Sequence, residues 1–150
     1  MELIQIGRDG TLPDDIEMND HLEMMLQMTA ENYANVGYPE PWVGYVAVEQ
    51  NVVLGFCGFK AAPENGRVEI AYATTPGSEG RGIATSMARR LIDIATSDPE
   101  RPTVFAQTLP EENASTSILK KLGFVHKGSV EHEEDGTVWE WELQRASTDG

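Results

Sequence analysis

The chain has one cysteine, Cys57, among its 150 residues. A lone thiol cannot build a disulfide framework or a multi-cysteine metal cluster, so the sequence suits a reducing, cytoplasmic setting. Basic residues are scarce too: 11 Lys and Arg stand against 25 Asp and Glu, a net charge of −14. Binding a phosphate backbone needs a positive surface, so nucleic acid is not an expected partner. No apolar run approaches the ~20 residues that span a bilayer, and residues 1–10 lack a signal peptide's basic-then-apolar layout. No membrane partner is expected. The three histidines, His21, His126 and His132, are scattered without ligand spacing, so no metal site is expected either.

What is present is a globular composition of a length that suits one domain over residues 1–150, with a frayed tail at 146–150. The acidic surplus favours cationic partners such as polyamines, aminoglycosides or basic protein tails, and it equally serves solubility. Glu2 to Ile6 reads as a first strand. An acidic helix start at Asp14-Asp15 leads into an apolar face of Leu22, Met25, Leu26, Thr29 and Tyr33. The methionines Met18, Met24, Met25 and Met28 read as pliable packing rather than a metal site.

Trp42 to Glu49 and Val52 to Lys60 are strand-rich and separated only by Gln50-Asn51, a hairpin signature. Arg67 to Thr74 is a further strand, followed by a helix with Ile83, Ala84, Met87, Ala88, Leu91, Ile92 and Ala95 on one face. Thr103 to Thr108, Asn113 to Leu122, Phe124 to Val130 and Thr137 to Leu143 read as strand, helix and two strands, the last pair joined by the acidic turn Glu133-Glu134-Asp135-Gly136. This order predicts an α+β fold: a mixed, mostly antiparallel sheet of about seven strands with helices on both faces.

One segment points to chemistry. From Val68 to Thr85 a strand ends in a glycine-rich turn and a helix begins at once, with Glu79-Gly80-Arg81-Gly82-Ile83-Ala84 at the junction. Glycines there let a ligand approach the backbone, and the first helical N–H groups have no partner within the helix. Such a terminus suits an anion, and a plain helix entry needs no ligand at all. It is not a Walker loop, since no Gly-Lys-Ser/Thr follows, and Thr85 fills the third glycine slot of a dinucleotide fingerprint.

The segment Glu79 to Ala84 resembles the coenzyme-A-binding motif of the GNAT N-acetyltransferase superfamily, Gln/Arg-x-x-Gly-x-Gly/Ala. A second stretch, Asn113-Ala114-Ser115-Thr116-Ser117-Ile118-Leu119-Lys120-Lys121-Leu122-Gly123-Phe124, is similar to that superfamily's Asn-x-Ser…Leu-x-Lys-x-Gly-Phe helix and strand entry. The resemblance covers roughly residues 2 to 144. Val68 to Tyr72 and Val138 to Leu143 look most like the ribosomal-protein N-terminal acetyltransferase branch. Glu79 departs from the usual Gln or Arg, and Arg81 is the cation at hand to offset it.

The resemblance implies transfer of an acetyl group from acetyl-CoA to a primary amine by direct attack. The acceptor would be a small cationic amine or a protein N-terminus. The cofactor's arm would pair with Tyr72, Ala73 and Thr74, its pyrophosphate would sit on Glu79, Gly80, Arg81, Gly82, Ile83, Ala84 and Thr85, and Asn113 and Ser115 would contact it from the next helix. Attack needs a base and an acid. Glu69 is the candidate base, or else a structural glutamate paired with Arg67 or another cation. Ser115 is the candidate acid for the thiolate, and equally a first-turn serine satisfying helix N–H groups. Tyr38 and Trp42 are candidates for the acceptor wall, where aromatic faces can hold a cation, or for hairpin packing. Cys57 reads as core. Dimers are common in folds of this kind, so the resemblance makes a homodimer a candidate assembly, with the C-terminal strands as a candidate interface. Two rivals remain: a non-catalytic CoA-binding sensor, and an acidic interaction protein that mimics nucleic acid.

Overall fold

The structure is a computed structural model that describes residues 1–134 and 136–144. Asp135 of the acidic turn and the tail at 146–150 lie outside the described residues. In chain order the elements are β1 (Glu2–Gln5), α1 (Asp20–Val36), β2 (Gly44–Glu49), β3 (Val52–Phe59), β4 (Arg67–Thr74), α2 (Ile83–Thr96), β5 (Thr103–Thr108), α3 (Ala114–Lys121), β6 (Phe124–His132) and β7 (Gly136–Leu143). The strands form one seven-stranded sheet in the order β1-β2-β3-β4-β5-β7-β6. Every pairing is antiparallel except β4 with β5. The α+β reading therefore stands.

Local chemistry explains the boundaries. Gln50 and Asn51 both adopt positive φ, 51° and 69°, the pattern of a tight hairpin turn whose twist matches the strands. α1 begins at Asp20, six residues later than the acidic pair at Asp14 suggests. The Asn19 side chain caps it by accepting from the Leu22 N–H at 2.8 Å. The preceding loop is held instead by buried Ile16 and by the Glu17 N–H donating to the Asn51 carbonyl at 2.8 Å. β2 starts at Gly44 rather than Trp42, because residues 40–43 close turns of their own. Met18, Met24 and Met28 face solvent rather than packing, while Leu22, Leu26 and Tyr33 carry the buried face of α1.

The core lies on both sides of the sheet. α2 buries Ile83, Met87, Ala88, Leu91 and Ala95, and each large side chain fully withdrawn from water stabilises by roughly 1.5–3 kcal/mol. Its close approach depends on Gly55, where a Cβ would meet the Met87 methyl at 2.7 Å. Cys57, on the same strand, is buried core. No described helix is long and apolar enough to cross a membrane.

Candidate active site

β4 carries the centre of the site. Register pairs Gly55 with Thr74 and Cys57 with Tyr72, so Tyr72 and Thr74 share the α2 side of the sheet with Met87. Alternation places Glu69, Ala71 and Ala73 on the opposite face. Phe105, level with Glu69 on β5, shares that face.

The parallel β4–β5 ladder is short. It joins Arg67 to Thr103, Val68 to Val104 and Glu69 to Phe105, and it ends there, although β4 continues to Thr74 and β5 to Thr108. Beyond Glu69 the two strands part, opening a wedge whose backbone edges are not joined to each other. Such an edge can pair with an extended polar chain. The Tyr72 hydroxyl points toward α3 and donates to the Ser115 carbonyl at 3.5 Å. Burial pushes the Tyr72 phenol up to about 12, so it stays protonated.

At the end of β4 the turn is anchored by Thr75, whose N–H donates to the Leu54 carbonyl at 2.9 Å and whose hydroxyl meets buried Ser78 at 3.0 Å. Gly80 and Gly82 sit at φ 79° and 76°, left-handed backbone that favours glycine, and a Cβ on either would meet nothing within 4 Å. The turn is therefore open above its backbone. α1 and α3 start under side-chain caps from Asn19 and Asn113, but α2 starts at Gly82 with none and has no acidic residue in its first turn. Its first N–H groups and the positive end of its dipole are left for an anion. A cavity of about 490 Å³ borders the turn at Thr75, Pro76 and Ser78.

The acid at Glu79 turns back into the loop, its Oε1 accepting from the Gly77 N–H at 2.9 Å. The Arg81 guanidinium reaches across to Glu49 Oε1 at 3.3 Å, an exposed pair worth little in water. Asn113 Oδ1 accepts from the Thr116 N–H at 3.1 Å while Thr116 Oγ1 accepts from the Asn113 N–H at 2.9 Å, a capping box. Asn113 is thus a helix cap whatever else it contacts. Ser115 is the second residue of α3, half-buried beside Tyr72.

Glu69 is half-buried, and its cation is Lys60, not Arg67. Lys60 Nζ lies 3.2 Å from Glu69 Oε2. The contact is at ion-pair distance without hydrogen-bond alignment, so Oε2 is buried with no hydrogen-bond partner among the described residues. Arg67 instead bonds Glu140 at 3.0 Å, pairs with Glu142 at 3.7 Å, and lies over the Phe105 ring at 4.0 Å. Lys60 could have been found by counting: with Phe59 opposite Ile70, the next rung of the hairpin is Lys60 opposite Glu69, and the Lys60 N–H donates to the Glu69 carbonyl at 3.0 Å.

The structure does not bring Trp42 to the Glu69 face, and it holds Tyr38 at the β1 edge, three strands from β4 in the sheet. The Tyr38 hydroxyl donates to the Ile6 carbonyl at 3.0 Å near the β1 edge, and its ring already holds the chain's own Arg8 at 5.4 Å. Trp42 packs edge-on against Phe59 at 4.9 Å; Phe59 pairs with Ile70, on the side of the sheet away from Glu69. Both rings make packing contacts within the chain. Among the described residues no group of three or more His, Cys, Asp or Glu is placed to hold a metal ion.

The family model of the acetyltransferase (GNAT) domain matches residues 9–125. The chain belongs to the GNAT acetyltransferase family. It is 28% identical over 113 residues to the uncharacterized N-acetyltransferase p20 of Bacillus licheniformis, covering 75% of this chain and 60% of that protein. It thus spans about three-fifths of the length of the curated relatives it matches. Among solved structures, a spermidine N-acetyltransferase SpeG chimera from Vibrio cholerae and hSSAT superposes with a TM-score of 0.70 at 14% identity, covering 95% of both chains. RimL, a ribosomal α-N-protein acetyltransferase in complex with coenzyme A, superposes with a TM-score of 0.63 at 17% identity, covering 84% of this chain and 72% of that one. These likenesses establish the fold.

Proposed function

We infer that the chain is an N-acetyltransferase that moves an acetyl group from acetyl-CoA to a cationic primary amine. The observation that carries this reading is the coincidence of three features along β4: an uncapped helix N-terminus, an open strand wedge, and a half-buried carboxylate at the apex of that wedge. The residues fit an acyl-CoA. Gly80 and Gly82 leave room over the turn that side chains would fill, the α2 N–H groups of residues 83–85 suit a pyrophosphate, and the edge of residues 72–74 suits an extended amide-bearing arm. The coenzyme-A complex of RimL supports the same assignment. Acetyl-CoA supplies an activated thioester carbonyl when bound.

The chain's own residues do the rest. Glu69 receives a proton from the acceptor ammonium so that a neutral amine attacks, and its Oε2, ion-paired with Lys60 but accepting no hydrogen bond, is the atom that takes it. Asn113 and Ser115 at the head of α3 close the far side of the wedge, and Ser115 is the proposed donor to the departing sulfur. A net charge of −14 draws cationic acceptors toward the chain. The spermidine acetyltransferase among the neighbours is compatible with such an acceptor.

The test is Glu69→Gln. Calorimetry should give an acetyl-CoA affinity equal to that of the parent, while turnover of a polyamine falls about 10²-fold, the usual contribution of a general base. Equal turnover would remove Glu69 from the mechanism. Binding without turnover of any amine in the parent chain would favour the sensor reading instead.

A further inference from the structure

Lys60 is the feature of this site that the reaction does not yet use. Its ammonium stands 3.2 Å from Glu69 Oε2, the atom assigned to receive the acceptor's proton. Its side chain is half-exposed and so free to swing on a four-carbon stem, whereas that of Glu69 is only 16% exposed and fixed by the sheet. Both residues line a cavity of about 210 Å³ with Ala61, Arg67 and Phe105. Glu69 and Phe105 form the last rung before β4 and β5 part, so this cavity borders the apex of the wedge from the joined side of the ladder. A primary amine next to a carboxylate base beside the last rung of the β4–β5 ladder has the chemistry of an acceptor, and here the chain provides it.

We propose that Lys60 is a self-acetylation site: in the absence of an external amine its Nζ takes the acetyl group from acetyl-CoA. The inference rests on the acetyltransferase reading and on Glu69 as base. Of the three protons on the Lys60 ammonium, Glu69 accepts one and passes it to solvent. The neutral Nζ then forms a bond to the acetyl carbonyl carbon and the carbon–sulfur bond breaks. A second proton ends on the departing sulfur, giving free CoA, and the third stays on the new amide. No oxidant or further reactant is required. The product carries no charge at Nζ, so the ion pair to Glu69 is lost and the carboxylate is exposed to incoming cations.

The experiment incubates the full chain with acetyl-CoA alone and maps acetylated lysines by peptide mass spectrometry over time. In parallel, calorimetry measures acetyl-CoA binding, and a polyamine assay measures turnover. The expected result is one acetyl group on Lys60 ahead of Lys120, Lys121 and Lys127. Its first-order rate constant should not depend on protein concentration, and it should fall about 10²-fold in Glu69→Gln. Lys60→Arg, which keeps the charge, should bind acetyl-CoA as before and acquire no acetyl group at that position. Equal labelling of all lysines, or an unmodified Lys60 in a chain that acetylates the polyamine, would overturn the proposal and leave the acetyltransferase reading intact. Neither binding nor turnover would overturn both.

Discussion

Burial sorts the ionisable side chains of this sheet by what they can do. The Cys57 thiol is pushed up to about 12 by desolvation, and the Tyr45 and Tyr72 phenols are likewise pushed to about 12, chiefly by burial. All three are neutral acids in the folded chain, and their unfolded values lie near 9.0 for the thiol and 10.0 for the phenols. As pH rises past 9.0 the unfolded chain releases these protons while the folded chain keeps them. The stability these three groups contribute is therefore fully present below pH 9.0 and is lost as pH climbs toward about 12. Denaturant midpoints measured across that window should fall with pH, and Cys57 should resist thiol reagents at pH 8 until the chain is unfolded, since the thiolate is the reactive form. That Cys57 is core was legible from its strand pattern. The partner of Glu69 was less so: a nearby arginine in sequence, Arg67, looked equally suitable, but hairpin register hands Glu69 to Lys60 and leaves Arg67 beside Glu140 and Glu142 from a strand more than 70 residues away.

At the scale of the element, the start of α2 is where stability and binding pull apart. An acidic residue in the first turn of a helix stabilises by about 0.3–1 kcal/mol through the dipole. At α2 the same charge would oppose a bound pyrophosphate. Thr85→Glu should therefore raise the melting temperature slightly while weakening acetyl-CoA binding about tenfold, roughly 1.4 kcal/mol of repulsion at short range. A thermal melt and a calorimetric titration on one sample decide it; parallel changes in the two would place the cofactor elsewhere. The helix itself was fully readable, since the 3.6-residue apolar period from Ile83 to Ala95 needs no tertiary information. The start of α1 was not. Asp14-Asp15 and Asn19-Asp20 both look like helix entries, and only the packing of Ile16 and the bond from Glu17 to Asn51 choose the later one.

For the whole molecule the net charge of −14 acts on folding and on encounter with opposite signs. Self-repulsion destabilises the compact state, and salt screens it over a Debye length of about 10 Å at 0.1 M. The same screening would remove the attraction for the proposed cationic acceptor. Raising salt from about 0.01 M to 0.5 M should thus raise both the melting temperature and the KM for a polyamine, with kcat nearly unchanged. A KM indifferent to salt would argue that the acceptor is not cationic.

The residues alone determined the alternation of strands and helices, the glycine-rich turn before α2 and the kinship carried by Glu79 to Ala84 and Asn113 to Phe124. Those are local properties, set by side-chain period, by φ preference and by capping chemistry within a few residues. The tertiary structure alone decided where the β4–β5 ladder stops, that Tyr72 reaches Ser115 across the opening, and that Lys60 rather than Arg67 faces Glu69. The same level of organisation set the Tyr38 hydroxyl on the Ile6 carbonyl and Trp42 against the Phe59 ring. Each of these depends on register between segments distant in the chain, and a one-residue shift in register turns every side chain to the other face of the sheet.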